Sequence, residues 1–122
     1  MANREEKRNL ETIPVGSLGI ISLPGCKPLG EKVDQYLVKW RAERESEHKE
    51  SLAFAGYQRE SYLLDAKVPR FGSGEAKGTI EESVRGDDLY FLVDVCSNSL
   101  TYSLCGMTNH MSPDDHYQDL KR

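Results

Sequence analysis

Apolar residues are unevenly spread along the chain, and their spacing changes from one segment to the next. The first dozen residues are polar and charged without a period, and residues 1–16 read as a flexible arm. SLGIISL, from Ser17 to Leu23, is a short apolar run between Gly16 and Pro24-Gly25, which predicts a buried strand followed by a turn. Pro28 suits the first turn of a helix, and Leu29, Val33, Tyr36, Leu37 and Trp40 recur at the spacing of one helical face. The polar tail RAERESEHKE extends that helix as a solvated segment with opposite charges at helical spacing, or frays into a linker. LAFAGY, at 52–57, fits a short strand or an edge, and Gly56 weakens either reading.

The second half begins with a strand predicted over Tyr62–Val68, ended by Pro69. Gly72-Ser73-Gly74 demands a turn, after which 75–81 reads as a half-exposed strand, so Val68 and Ile80 sit on two arms of a hairpin-like return. Gly86-Asp87 makes another turn. Leu89–Val95 is almost continuously apolar, which predicts a central strand buried on both faces. After Cys96 the segment SNSLTYSLCGMTNHM has no clean period and reads as a long loop. Ser112 then caps a helix with Pro113 in its first turn and Asp114 and Asp115 at the positive end of its dipole, and Tyr117 and Leu120 begin an apolar stripe. Strand, helix, hairpin return, buried strand and helix start make an α/β pattern. The last helix is barely two turns long at Arg122, so the expectation is that 122 is not a natural domain boundary and the chain is a fragment or an early truncation.

Composition narrows the function classes. Apolar residues make up 38% and charged residues 30% of the 122 residues, more polar than an average globular domain but not a disordered composition. The net charge of −4 argues against nucleic acid as a partner. No apolar run is long enough to span a membrane, so no membrane partner is expected, and the polar N-terminus is not a secretory signal. Three cysteines without a CxxC pair disfavour a disulfide framework and favour a reduced, cytoplasmic setting.

Most candidate chemistry has a plainer reading. GSGEAKG lacks the spacing of a phosphate loop and no apolar helix follows it. His110, Asp114, Asp115, His116 and Cys105 are of metal-ligating types, but the two histidines straddle a helix start and share no face, so they read as surface polar residues. Cys96, after the apolar run, reads as a core residue, and Cys26 as a structural residue of the first turn. The segment from Arg70 to Asp88 is harder to set aside. Phe71 lies between a proline and three flexible residues, which favours an exposed ring, and Glu75 returns near it past the turn. An aromatic face with a carboxylate suits an adenine, by stacking and by accepting from its exocyclic amine. Arg85, before a glycine turn, can fork onto a phosphate. On this chemistry alone, a plain hairpin with surface charges remains the stronger reading.

PRFGSGEAKGTIEESVRGDDLYFLVDVC resembles the N-terminal segment of the ribose-phosphate diphosphokinase (PRPP synthetase) family, whose pattern is close to RFxxxExxxxIxESVRGxDVxxxxxxC, ungapped from Phe71 to Cys96. IISLPGCKPLGEKVDQYL resembles the family's opening strand, turn and first helix, and the two stretches together cover roughly half the chain. The resemblance implies the N-terminal part of a type I phosphoribosyltransferase-like domain, here residues 17–122, broken off in its second main helix. It implies transfer of the β,γ-diphosphoryl group of ATP to ribose 5-phosphate, giving PRPP and AMP, with Mg2+, in a homo-oligomer. It places Phe71, Ser73 and Glu75 against the adenine of ATP bound in a neighbouring subunit, and Ser83 and Arg85 at a phosphate-binding regulatory site. Ser73 is shorter than the Asp or Asn common at that position.

Two segments depart from the family: the extra length RAERESEHKESLAFAGYQRE and the atypical SLTYSLCGMTNHMSP. The family's Arg-Gln ATP loop, catalytic-region histidine, flexible basic loop and acidic ribose-phosphate loop have no counterpart among these residues. The expectation is therefore an N-terminal fragment, inactive alone, of a PRPP synthetase; the alternative is a non-catalytic paralogue that associates with and regulates the full-length enzyme.

Overall fold

The computed structural model describes residues 16–47 and 59–122. The arm expected over 1–16, Gly16 apart, and the segment 52–57 lie outside the described residues. In chain order the elements are β1 (Leu18–Ser22), a 3-10 turn (Pro24–Cys26), α1 (Lys27–Ser46), β2 (Ala66–Lys67), β3 (Thr79–Ile80), β4 (Asp88–Leu92), β5 (Thr101–Leu104), β6 (Met107–His110) and α2 (Pro113–Lys121). The chain is a small α/β structure with short sheets and two helices, as its pattern predicts.

β1 is the central strand. Its side chains from Leu18 to Ile21 are buried, so its backbone groups need protein partners on both edges. One edge pairs in parallel with β4, in register from Leu18↔Asp88 to Ser22↔Leu92. The other takes the chain at 62–64: Ile20 N–H donates to Tyr62 O at 2.7 Å, and Leu64 N–H donates to Ile20 O at 2.9 Å. Leu18, Ile20 and the fully buried Tyr62 form the core cluster, with Val33, Leu37, Val38, Leu63 and Leu92 packed against it. The apolar run after Gly86 is not the central strand expected of it. Among the described residues β4 pairs only with β1, and Tyr90 and Phe91 face solvent, Tyr90 at 62% exposure. Hydrophobicity alone does not say which of two apolar runs has neighbours on both sides.

α1 keeps Val33 and Leu37 of the expected face against the core but is rotated away from the other three. Leu29, Tyr36 and Trp40 are exposed, with the Tyr36 and Trp40 rings 6.0 Å apart. The inward stripe is Gly30, Val33, Asp34, Leu37 and Val38, also at helical spacing. Gly30 sets this rotation, because a Cβ there would lie 1.8 Å from Ser22 Oγ and 2.9 Å from its Cβ. Asp34 anchors the helix to the core strand position, its carboxylate accepting from Tyr62 N–H at 2.6 Å and from Ser61 Oγ at 2.9 Å.

The predicted hairpin return is present as β2–β3, antiparallel, with Ala66↔Ile80 and Lys67↔Thr79. The segment after Cys96 is not a long loop: β5 and β6 form an antiparallel hairpin from Thr101↔His110 to Leu104↔Met107. Its two-residue turn, Cys105-Gly106, has positive φ at both positions (53° and 77°), the backbone that matches strand twist in tight hairpins. Cys96 is exposed rather than in the core. Cys26 is buried, and its burial, then the nearby Asp94 carboxylate, push its thiol up, away from a reactive thiolate.

α2 starts as the sequence predicts. Ser112 Oγ accepts from Asp115 N–H, and the Asp115 carboxylate accepts from Ser112 N–H at 2.9 Å, a complete capping box. Its buried face is polar, not the stripe begun by Tyr117: His116 and Asp119 point inward and Tyr117 is exposed. His116 is therefore no surface residue; its Nε2 donates to Ser97 O at 2.7 Å. Among the described residues no helix is long and apolar enough to cross a membrane.

The Asp34 contact gives a direct test of this packing. Replacing Asp34 with Ala removes the carboxylate that accepts from Tyr62 N–H in a partly buried place and should lower stability by about 2 kcal/mol, with Asp34→Asn recovering part of it. Urea denaturation of the variants measures this; an unchanged midpoint for Asp34→Ala would mean that α1 is held by its apolar stripe alone.

Candidate functional site

The β2–β3 arms carry, at their tip, the loop from Phe71 to Glu75. The chain enters it at Arg70, which bridges Ala76 in antiparallel fashion, and Lys77 N–H donates to Pro69 O at 2.9 Å just outside. Inside, Phe71 N–H donates to Glu75 O at 2.8 Å and Gly74 N–H to Phe71 O at 2.9 Å. This tight closure needs the left-handed backbone of Gly74, with φ of 87°. Phe71, Gly72, Ser73 and Glu75 are exposed, Phe71 at 55% of its surface, as its position after Pro69 predicts. The loop thus holds Phe71 and Glu75 at its two ends, their backbones hydrogen-bonded to each other. The Glu75 carboxylate pairs with Arg122 at 2.7 Å, with both side chains about half exposed.

Ser83 and Arg85 lie on a second turn. Asp87 N–H donates to Val84 O at 3.1 Å, and Gly86 between them has φ of 82°. Arg85 therefore stands at a turn corner, exposed, and neither it nor Ser83 has a hydrogen-bond or ionic partner among the described residues. The turn itself is fixed from behind. Asp88 N–H donates to Ser17 O at 2.8 Å, and the Arg59 guanidinium pairs with Asp87 at 3.3 Å while reaching Leu18 O. Gly16 passes so close that a Cβ there would overlap Gly86 O. No hydrogen bond or ion pair among the described residues joins this corner to the Phe71–Glu75 loop.

Behind the loop lies a polar cluster that the sequence pattern does not expose. Arg70 Nη2 donates to both carboxylate oxygens of Asp119, at 3.0 and 3.2 Å, and its Nη1 donates to Gly74 O at 2.9 Å. The Tyr102 ring of β5 lies under the guanidinium, 4.2 Å from its centroid. Burial pushes the Asp119 carboxyl up, against the pull of Arg70 and His116. A shallow cavity of about 260 Å³ opens beside this cluster, between Pro24, Val68, Leu100 and Met111. Asp119 reads as one more charge on a polar helix, and only the unexpected β5–β6 hairpin brings Tyr102 to Arg70. The signal available in the sequence was the alternation Thr-Tyr-Ser-Leu before Cys105-Gly106.

Of the metal-ligating residue types noted in the sequence, His116 and His110 spend a ring nitrogen on backbone carbonyls, and among the described residues no three such side chains converge on a point that could hold a metal ion.

No curated protein and no solved structure matches the chain significantly. The family model describing the N-terminal domain of ribose phosphate pyrophosphokinase matches residues 18–120. The match runs from β1 through the Phe71–Glu75 loop, the Arg85 corner and the β5–β6 hairpin into α2, and the chain belongs to the family of ribose phosphate pyrophosphokinase N-terminal domains.

Proposed function

We propose that this domain serves a ribose-phosphate diphosphokinase that transfers the β,γ-diphosphoryl group of ATP to ribose 5-phosphate, with PRPP and AMP as products. The observation that carries the reading is the exposed Phe71 ring on a closed loop that ends at Glu75, within a chain of this family. Phe71 stacks on the adenine, and the Glu75 carboxylate accepts from its exocyclic amine. Base stacking on one aromatic ring is worth about 1–3 kcal/mol, enough to decide whether ATP is held at working concentration. The Glu75–Arg122 pair is no obstacle, since half-exposed pairs contribute about 0–1 kcal/mol and exchange partners readily. Ser73 is too short to replace a longer polar side chain fully, so the base is held chiefly from the two ends of the loop. Ser83 and Arg85 take a phosphate group at a subunit interface, for which the exposed corner guanidinium, without a partner among the described residues, is suited.

On this reading the surrounding domain is type I phosphoribosyltransferase-like, the assembly is a homo-oligomer in the cytoplasm, and ATP reaches the loop from a neighbouring subunit. The parent reaction needs Mg2+, which neutralises phosphate charge. The described residues do not fit a site for it, since no three acidic, histidine or cysteine side chains converge, and no step here runs through the ion. The chain's own part is to hold and orient the base.

Phe71→Ala in the full-length enzyme should raise KM for ATP about tenfold or more, the equivalent of about 1.4 kcal/mol, and leave KM for ribose 5-phosphate in place. Steady-state assays of PRPP and AMP formation check this, and an ATP KM unchanged in both Phe71→Ala and Glu75→Ala would dispose of the base-binding role. Arg85→Ala should alter the dependence of the rate on inorganic phosphate while sparing the ATP KM; an identical phosphate response would remove Arg85 from the proposed corner. The 122-residue chain alone should form no PRPP or AMP, and product formation by it would contradict the assignment of a contributing rather than a complete site.

A further inference from the structure

The segment 97–111 is the part of the chain whose purpose the proposed reaction does not explain. In the structure it folds as the β5–β6 hairpin and lies against the back of the Phe71–Glu75 loop. Tyr102 lies under the Arg70 guanidinium at 4.2 Å, and an atom added to Gly74 as a Cβ would stand 3.2 Å from Leu104 Cδ2. From the other side α2 delivers Asp119, which is 7% exposed and bonded twice to Arg70 Nη2. Arg70 is thus largely desolvated between a ring and a carboxylate, and its Nη1 donates to Gly74 O inside the loop.

The loop has little of its own to fix its shape. Two backbone hydrogen bonds close it, and Ser73 makes none among the described residues. Glycine at 72 and 74 leaves the backbone between Phe71 and Glu75 free to adopt other forms. A base clamp needs its two ends at a fixed separation before the base arrives, because ordering them on binding costs affinity. Among the described residues, the one side-chain hydrogen bond that reaches the inner backbone of the loop is Arg70 to Gly74 O.

We infer that Arg70 is a positioning residue for nucleotide-base recognition: held by Tyr102 of the hairpin and Asp119 of α2, it presets the 71–75 loop in the shape that grips the purine. The inference rests on the base-binding reading of Phe71 and Glu75, and adds to it the reason for the hairpin. It also explains the residue type. One guanidinium reaches Gly74 O and both Asp119 oxygens from two nitrogens while its flat face lies on a ring. A lysine ammonium is a point charge and does not span these partners.

The test uses the full-length enzyme with Arg70→Ala and Arg70→Lys, and reads kcat, KM for ATP, KM for ribose 5-phosphate and the preference for ATP over inosine triphosphate. Inosine triphosphate carries an oxygen where adenine has its amine, so the preference reports the clamp. Both variants should raise KM for ATP about tenfold and shrink the ATP preference by a similar factor, with kcat at saturating ATP and KM for ribose 5-phosphate within about twofold. Hydrogen exchange should quicken at the amides of 71–75 and stay unchanged in β1. An unchanged ATP KM and base preference overturns the inference, and so does a fall in kcat with faster exchange throughout, which marks general loss of structure. Should Arg70→Ala fail to fold, Arg70→Lys decides alone. Phe71→Ala run alongside separates the two readings. If Phe71→Ala raises the ATP KM and the Arg70 variants do not, the positioning role alone falls; if Phe71→Ala has no effect, the base clamp falls and takes this role with it.

Discussion

The backbone of β1 has to be hydrogen-bonded on both edges, and the arrangement of the rest of the chain answers to that requirement. Leu18 to Ile21 are buried, so no water is at hand for their amides and carbonyls. The chain meets the requirement with 62–64 on one edge and β4 on the other, both running parallel to β1. Parallel neighbours cannot be joined by a tight turn, so each connection has to cross over. The first crossover is α1. The second, from Leu64 to Asp88, has no helix and contains instead the β2–β3 arms, the Phe71–Glu75 loop and the Arg85 corner. Both groups of candidate ligand-binding residues lie on this one excursion because β1 forces the chain to make it.

That excursion is too polar to be held by apolar packing. The core around β1 ends at Leu64, and beyond it Ala76 and Met111 are the buried apolar residues near the loop. What stabilises the excursion is a set of charged anchors, each reaching backbone: Arg59 to Leu18 O beside the corner, and Arg70 to Gly74 O within the loop. Burial raises the Asp119 carboxyl against the pull of Arg70 and His116, so desolvation outweighs their attraction there. Buried pairs of this kind are poor contributors to net stability, yet breaking one by removing a partner is costly.

The sequence made the strand at Ser17–Leu23, the hairpin return and the Ser112 cap legible, because each depends on local signals: an apolar run between breakers, a glycine turn, a capping residue before proline. The family resemblance lay in the same class, a contiguous stretch from Phe71 to Cys96. What it hid were relations decided by tertiary contact. The spacing of Leu29, Val33, Tyr36, Leu37 and Trp40 predicts a face of α1 of which only Val33 and Leu37 turn inward, because a small residue, Gly30, fixes the rotation by meeting Ser22. The run Leu89–Val95 looked central because it is apolar, but the number of neighbours belongs to the sheet and not to the strand. The β5–β6 segment reads as loop because it is polar and without a clean period, and its turn, Cys105-Gly106, has a cysteine at positive φ in place of the usual asparagine or aspartate. Missing the hairpin meant missing Tyr102, and with it the surroundings of Arg70.

Those surroundings bear on why the loop carries a buried charge at all. An apolar side chain at position 70 would fill the space between Tyr102 and α2, and by the usual comparison of buried pairs with apolar replacements it would cost the fold little. It would have no donor for Gly74 O. Loops that bind ligands are placed by the rigid elements around them, and the strength of that placement depends on contacts that have direction. Dispersion has none, whereas Arg70 Nη1 to Gly74 O at 2.9 Å fixes both a distance and an angle inside the loop. The same guanidinium is oriented by Asp119 and by the plane of Tyr102, so the direction is inherited from α2 and from the hairpin. The hairpin is in this way tied to the Phe71–Glu75 loop through a single side chain one residue before Phe71.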